Sequence, residues 1–363
     1  MKTRLTFLPL VFLLILAGCK SIGPGALTRD RYEYSDSIGE SWKRQTLLNI
    51  IKLRYLDPPI FVDVGQIVAS RSLSRNVSAF GNSSAYNNGP PPGAILGNFG
   101  VSAGGTYIDQ PTVTYTPLTG NKFIKSLMTP LTPDSVFFMI QSGWPADAVL
   151  LMSTSAINGL KNQTTSANGT TLADPEFMQV IALMRKIQLA GGVAFRVVQD
   201  AQKQESSLLT FRRSDIAPEV LADAGELRRL LKLNQDANEF QLTFGAQAVN
   251  DKEVALQTRS IIQLMGVMSA QVDVPAKDLA NHAAAPGWES AANATTTGRL
   301  VQIHSSESEP AHAFVAVPYR GHWFWIDDYD LRTKRVFSFM MLLFTLADTG
   351  EPQPAPVVTI PAH

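Results

Sequence analysis

Apolar residues recur at helical spacing in the second half of the chain. Phe177 and Ile187, with the apolar residues between them, fall on one helical face. Asp174 can cap this helix and Pro175 takes its first position, so a helix is predicted up to the following pair of glycines. Strict alternation of apolar and polar residues over 240–244 instead predicts a strand.

The same two periodicities predict the remaining elements. Helices are predicted over residues 37–56, 123–129, 133–142, 225–233, 254–268 and 336–346. Strands are predicted over residues 60–70, 148–153, 193–198, 208–212, 300–304, 313–317 and 322–326. The last two are predicted to join as a tight hairpin around residues 319–321. Asn250 with Glu253 resembles a capping box before the helix at 254–268. Together these elements predict an α+β fold, with a mixed or antiparallel sheet and packed helices in one body or two subdomains.

Residues 60–116 contain alternating segments around a stretch rich in Ser, Asn, Gly and Pro. Val101 and Tyr107 alternate with small polar residues, and so do Val113 and Tyr115. The pattern predicts two long strands that flank a flexible insertion at 76–105. An amphipathic strand pair of this kind extends a soluble sheet or, repeated around an oligomer, supplies strands to a membrane assembly.

Two arginines bear on the choice between a soluble sheet and a membrane assembly. Arg71 and Arg75 fall on the same strand face as Leu73 and Val77. An arginine that faces lipid near the bilayer midplane costs about 2–4 kcal/mol. The sequence therefore favours the soluble interpretation and leaves the membrane assembly as an alternative.

The first residues have the organisation of an export signal. Lys2 and Arg4 precede an apolar run at 5–17, which is too short to span a bilayer and long enough for a signal peptide. The run closes with Leu-Ala-Gly at 16–18, followed by Cys19. This ending resembles the lipobox of bacterial lipoprotein signal peptides. The resemblance implies cleavage directly before Cys19 and attachment of fatty acyl chains, such as palmitate, at that residue.

The residue after the cysteine refines the location that the resemblance implies. In bacterial lipoproteins, an Asp at this position retains the protein in the inner membrane, and this chain has Lys20 there. The resemblance therefore implies a lipid anchor in the outer membrane, on its periplasmic side. One acyl chain binds membranes only marginally, at ~0.8 kcal/mol per buried methylene, and two or three give a stable anchor. The alternative is an ordinary secretory signal with a chance cysteine.

Composition limits the chemistry of the mature chain. Cys19 is the single cysteine, so the rest of the chain has no disulfide, thiol nucleophile or cysteine-ligated metal. Lys and Arg together number 31, and Asp and Glu also number 31. Because there is no overall basic charge, we predict no nucleic-acid partner. The predicted partners are the membrane, through the lipid on Cys19, and other envelope proteins.

A cluster near the C-terminus supplies the one candidate for hydrolytic or metal chemistry. Its members are His304, His312, His322, Asp327, Asp328 and Asp330. Their spacing matches no metal motif, and the chain has neither a nucleophile elbow nor a glycine fingerprint. Asp330 as a helix N-cap, with Asp327 and Asp328 in a turn, explains these carboxylates more simply. We therefore predict no catalytic, cofactor or metal site.

The predicted organisation follows from these features. The regions are a signal peptide at 1–18, a tether at 19–31, an N-terminal α+β region at 32–157, a linker at 158–171, a C-terminal α+β domain at 172–348 and a disordered Pro-rich tail at 349–363. The predicted function is a structural or binding role at the envelope. One alternative is a subunit of an oligomeric outer-membrane assembly or export pore that uses the 60–116 strand pair. A second is a hydrolase or metal-dependent enzyme that uses His322, Asp327 and Asp328.

Overall fold

The computed structural model describes residues 24–68, 71–83, 97–166, 169–199, 205–288 and 299–347. The predicted signal peptide, the predicted lipidation site Cys19 and the predicted tail at 349–363 lie outside the described residues. Residues 84–96 of the predicted insertion also lie outside them.

The helices are given first, in chain order. They are α1 (Pro24–Arg54), α2 (Asn121–Met128), α3 (Pro133–Gln141), α4 (Ala146–Ser153), α5 (Pro175–Leu189), α6 (Pro218–Leu230), α7 (Ile261–Ser269), α8 (Ala276–Ala280) and α9 (Leu331–Ala347). The predicted helices at 123–129, 133–142 and 336–346 are confirmed, and so is the helix that starts at Pro175.

The strands form several separate sheets. They are β1 (Phe61–Val68), β2 (Arg71–Ser83), β3 (Gly97–Asp109), β4 (Thr112–Leu118), β5 (Thr154–Ile157), β6 (Leu160–Lys161), β7 (Thr164–Ser166), β8 (Gly169–Thr171), β9 (Val193–Gln199), β10 (Glu205–Phe211), β11 (Glu239–Phe244), β12 (Glu253–Thr258), β13 (His304–Ser306), β14 (Ala313–Tyr319) and β15 (His322–Asp327). The largest sheet has the order β6-β5-β12-β11-β10-β9, with a parallel β11–β12 pair and antiparallel neighbours elsewhere. A second sheet has the antiparallel order β13-β15-β14. The predicted α+β fold is therefore confirmed.

The described chain divides into two units. The globular unit contains residues 24–61 and 119–347, and the hairpin unit contains residues 62–118. The predicted division, with a linker at 158–171, differs from this one. Strand β5 lies before that linker and pairs with β12, which lies far after it, so one sheet unites both predicted halves. Asn158 reinforces the connection, because its side-chain Oδ1 accepts the amide of Ala255 at 2.7 Å.

The core of the globular unit is built around α1 and α7. Leu47, Ile50 and Ile51 of α1 are fully buried, as are Leu264 and Met265 of α7. Helix α1 packs against α7 and β14. Because burial of one large aliphatic side chain contributes about 1.5–3 kcal/mol, this helix pair is a main source of stability.

Helix α1 begins earlier than its sequence pattern indicates. The predicted tether ran to residue 31, but residues 24–31 are helical. Pro24 occupies the first turn, where a proline loses no helical hydrogen bond. The Arg29 Nε lies 3.9 Å from Glu33 Oε1, one turn along the helix. The first turns therefore form without apolar periodicity, which was the feature used to place the helix start.

The predicted strand at 148–153 is wrong, because these residues belong to helix α4. A short apolar run fits a buried helix as well as a buried strand. The last carbonyls of α4 accept hydrogen bonds from distant side chains. Arg259 Nη1 donates to Leu151 and Met152, and Asn162 Nδ2 also donates to Leu151. These donors satisfy the last carbonyl groups of α4, and because they lie outside residues 146–153, the local sequence does not indicate them.

The predicted helix at 254–268 is also wrong in its first part. Residues 253–258 form strand β12, and α7 begins at Ile261. Its capping box is made by Ser260 and Gln263, not by Asn250 and Glu253. Strand β12 is central, and Val254, Ala255 and Leu256 are buried in succession, so it lacks the strict alternation that would have identified it.

The turn between β14 and β15 has the predicted geometry. Arg320 and Gly321 form a two-residue connection with φ values of 48° and 82°. Positive φ at both central positions is typical of the tight turns that match the twist of a hairpin. The prediction of a hairpin around these residues is therefore confirmed.

Candidate functional site

The hairpin formed by β2 and β3 is the candidate functional site. The strands pair without a register shift from Arg71↔Asp109 to Ser83↔Gly97. Each strand has 13 residues, whereas strands usually have about 3–10 residues. At about 3.3 Å per residue the paired strands extend for roughly 43 Å. No third strand pairs with β2 or β3 anywhere in the described chain, so both outer edges are unpaired.

Apolar and polar side chains occupy opposite faces of this hairpin. Paired residues share a face and successive residues alternate, so Val77 with Ala103 and Ala79 with Val101 lie on one face. The opposite face has the small residues Ser72, Ser74, Asn76, Ser78, Gly100, Ser102, Gly104 and Thr106, together with Phe80 and Ile108. The alternation predicted for 101–107 is confirmed. The flexible insertion predicted at 76–105 is wrong for residues 76–83 and 97–105, because they are paired in β2 and β3.

Both faces are exposed. Val77 on the apolar face is 75% exposed and Val101 is 60% exposed. On the polar face, the hydroxyl groups of Ser78 and Ser102 form a hydrogen bond of 2.6 Å across the strands. Contiguous exposed apolar surface marks an interaction site in a soluble domain.

Two glycines of β3 make room for larger side chains of β2. A Cβ at Gly100 would fall 2.4 Å from Phe80 Cζ, so the phenyl ring lies over the glycine backbone. A Cβ at Gly104 would fall 2.8 Å from Asn76 Oδ1. An aromatic ring that covers a cross-strand glycine compensates for the missing side chain. Gly100 therefore leaves the space that the Phe80 ring occupies on the mainly polar face.

Charged residues are confined to the open end of the hairpin. Residues 76–108 contain no Asp, Glu, Lys or Arg. The charged residues of the two strands are Arg71, Arg75 and Asp109. The register places Arg71 opposite Asp109 at the end farthest from the connection between the strands. The long remainder of both strands is uncharged on both faces.

The structure separates the residues of the hydrolytic alternative. His322 begins β15 and Asp327 ends it, so they lie roughly 17 Å apart at about 3.3 Å per residue. Asp327 Oδ1 accepts the amide of Tyr329 at 2.8 Å. Asp328 Oδ1 lies 2.6 Å from Lys334 Nζ. Both aspartates therefore make local turn and surface contacts.

The other candidates are also dispersed. His304 packs against Trp325 with 4.6 Å between ring centroids, and His312 lies just before β14. Asp330 Oδ1 accepts the amide of Thr333 at 3.0 Å, which confirms the predicted N-cap. Within the residues that the structure describes, no three His, Cys, Asp or Glu side chains are grouped as metal ligands.

A polar cluster that the sequence did not indicate joins α1 to the β14–β15 turn. The Tyr319 hydroxyl donates to Asp57, and Arg320 Nη2 lies 3.1 Å from the same carboxylate. The Arg320 guanidinium lies 4.9 Å from the ring centroid of Tyr55. The Tyr55 hydroxyl donates to Asp278 Oδ2 at 2.6 Å. The cluster therefore connects three segments that are distant in sequence.

Hydrogen bonds from Tyr319 and then Arg320 lower the pKa of Asp57 below its ordinary value. Burial, followed by the hydrogen bond to Asp278, raises the pKa of the Tyr55 hydroxyl. Tyr55 therefore stays neutral and Asp57 stays ionised at neutral pH. This arrangement stabilises the segment contacts and leaves no activated nucleophile.

Asp57→Asn is expected to lower the melting temperature at neutral pH and to have a smaller effect in acid. A carboxyl group with a lowered folded-state pKa stabilises the fold above its unfolded pKa, about 3.9, and this contribution is lost as pH falls through the folded pKa. Melting curves of both proteins near pH 7 and near pH 2 measure the difference. An equal difference in melting temperature at both pH values would contradict the lowered pKa assigned to Asp57.

An apolar groove of about 490 Å³ lies on the globular unit. Phe138, Trp144, Phe195 and Leu342 are among its lining residues. Among the described residues that line it, Asp134 is the one ionisable side chain.

No family model matches this chain, and neither a curated protein nor a solved structure is significantly similar to it. The helices of the described residues include none whose length and hydropathy would let it traverse a bilayer.

Proposed function

We propose that this protein is a lipid-anchored envelope protein with a structural role, attached through Cys19 on the periplasmic side of the outer membrane. In this proposal it is a subunit of an oligomeric assembly, and the hairpins of neighbouring copies pair edge to edge. The observation that supports the assembly is the β2–β3 hairpin, whose outer edges are unpaired within the described chain and whose two faces are exposed.

The edges of this hairpin lack the features that keep strands from pairing. Proteins protect exposed edges with lysine, proline or bulges. Strands β2 and β3 contain neither lysine nor proline, and their register runs without a shift. An isolated two-stranded hairpin is at best marginally stable in water. Further strands would supply the missing main-chain hydrogen bonds.

A second copy of the chain is the partner that these edges favour. The two edges belong to different strands, so β2 of one copy can pair with β3 of the next. Repetition of this head-to-tail contact closes into a ring when the rotation between copies allows it. A closed ring leaves no free edge, which removes the aggregation hazard of a long, flat strand.

The lipid anchor has its own test. Cys19→Ser is expected to abolish incorporation of labelled palmitate, because the acylated thiol is absent, whereas the neighbouring Ser21→Ala variant is labelled like the unsubstituted protein. Labelling in cells followed by immunoprecipitation measures the incorporation. An unsubstituted protein without label would contradict the lipoprotein assignment.

The mass of the full-length protein tests the assembly. Extracted in mild detergent and measured by light scattering with the detergent contribution subtracted, the protein is expected to form particles of several copies. A single copy per particle over a wide concentration range would overturn the proposed assembly.

A further inference from the structure

The apolar face of the hairpin needs a covering that edge pairing does not supply. Edge-to-edge pairing satisfies main-chain groups within the plane of the sheet and leaves both faces as they are. Val77, Ala79, Val101 and Ala103 would remain exposed and would form a continuous apolar surface in the enlarged sheet. Contact between such an apolar surface and water is energetically unfavourable.

We infer that lipid acyl chains cover this face, so that β2 and β3 cross the hydrocarbon layer of the outer membrane. The inference rests on the proposed function, because a strand pair can lie in lipid only if neighbouring copies satisfy its outer edges. The polar face then points toward the interior of the ring.

The length and charge of the strands fit this placement. A strand that crosses a bilayer needs about 9–11 residues when tilted, and each strand here has 13. The eight pairs from Asn76↔Gly104 to Ser83↔Gly97 contain no charged residue. They extend for roughly 26 Å at about 3.3 Å per residue, close to the apolar band of outer-membrane strands, which is about 25 Å tall.

The positions of the arginines now agree with a membrane location. Arg71 is paired with Asp109 at the open end, and Arg75 lies only four pairs further along. Both positions fall outside the uncharged pairs, where a cation near the membrane surface is tolerated. Tyr107 lies at the same end and is 50% exposed. Tyrosine is enriched at the membrane–water interface.

The opposite face is mainly polar, with Phe80 and Ile108 as its large apolar residues, and we assign it to a water-filled passage. Ser74, Ser78, Ser102 and Thr106 are small, polar and uncharged. Strands that separate lipid from water alternate in this way, with polar residues directed inward. The passage lined by these hydroxyl groups would not select for the charge of a solute, because the described lining between the open end and Ser83 has no ionised side chain.

A scan with an environment-sensitive fluorophore tests the placement. Single cysteines are introduced at residues 76–80 and 101–104 of the full-length acylated protein, labelled and reconstituted into vesicles of bacterial phospholipid. Unsubstituted protein, treated identically, gives the background at Cys19. A quencher on the lipid chains and iodide in the water then report the surroundings of each position.

We expect a period of two in the quenching. Labels at Val77→Cys, Ala79→Cys and Val101→Cys should be quenched several-fold more by the lipid quencher than labels at Ser78→Cys and Ser102→Cys. Labels at the two serine positions should be quenched several-fold more by iodide than labels at the valine and alanine positions. Assembly of every labelled variant is checked by its mass in detergent.

Three outcomes would overturn the inference. Multimers whose labels all respond to iodide alone would place the hairpins in water and leave the proposed assembly intact. Multimers whose apolar-face labels are shielded from both quenchers would show that a second copy covers that face. Monomeric particles whose labels face water would refute the assembly and the membrane placement together.

Discussion

Replacement of residues 76–104 by Asn-Gly is expected to convert the multimer into single copies without unfolding the globular unit. Arg75 and Gly105 are paired, so a two-residue turn can join them in the shortened hairpin. The replacement removes most of the unpaired edges on which the proposed assembly depends. No residue of 76–104 belongs to the globular unit, so its core contacts remain.

Two measurements check this expectation. Light scattering in detergent should give one copy per particle for the shortened protein and several for the full-length protein. The melting temperature of the shortened protein should equal that of the full-length protein, and its far-ultraviolet circular dichroism should still show a folded globular unit. A shortened protein that remains multimeric would locate the assembly contact elsewhere.

Arg259→Met is expected to lower the free energy of unfolding by about 2–6 kcal/mol, because the buried carbonyls of Met152 and Gln163 lose their donor at a cost of about 1–3 kcal/mol each. The carbonyl of Leu151 keeps a donor in Asn162. Arg259 is 3% exposed, and burial lowers its pKa to about 10, so the guanidinium is charged at neutral pH. It donates to the carbonyls of Leu151 and Met152 at 2.9 and 3.0 Å. It also donates to the carbonyl of Gln163.

The control for this substitution is an exposed arginine of the same unit. Arg229 makes a surface ion pair with Glu226, and because solvent screens this pair, Arg229→Met is expected to change stability far less than Arg259→Met. Urea unfolding curves of the three proteins give the two differences. Equal effects at the two positions would show that the buried contacts of Arg259 contribute nothing particular to stability.

Prediction from sequence succeeded for segments with a clear periodicity and failed for segments without one. Helix α5 and strand β11 have one apolar face each, and their positions were predicted well. Helix α4 and strand β12 each contain successive buried residues, so their sequences lack a diagnostic period. Their identities depend on tertiary contacts, such as those of Arg259, that no local window contains.

The candidate site was predicted only in part, because periodicity indicates a strand and its faces but not its long-range contacts. The alternation at 101–107 indicated an amphipathic strand, and the register confirms the shared face of Val77 and Val101. Local sequence does not reveal that the outer edges of β2 and β3 are unpaired within the described chain, or that Arg71 and Arg75 lie at the open end. The contact of Asp57 with Tyr319 was equally hidden, since 262 positions separate the two residues.

A cross-link between β2 of one copy and β3 of another tests the central claim most directly. Copies with Ser78→Cys and copies with Ser102→Cys carry different tags and are produced together. The lipid proposed on Cys19 would occupy that thiol and leave one free thiol in each copy. Treatment of isolated membranes with a short bismaleimide is expected to yield a dimer that contains both tags. Replacing the Ser102→Cys copies with Glu226→Cys copies should yield none. Absence of the mixed dimer, although both thiols react with a monofunctional maleimide, would contradict edge-to-edge pairing of the hairpins.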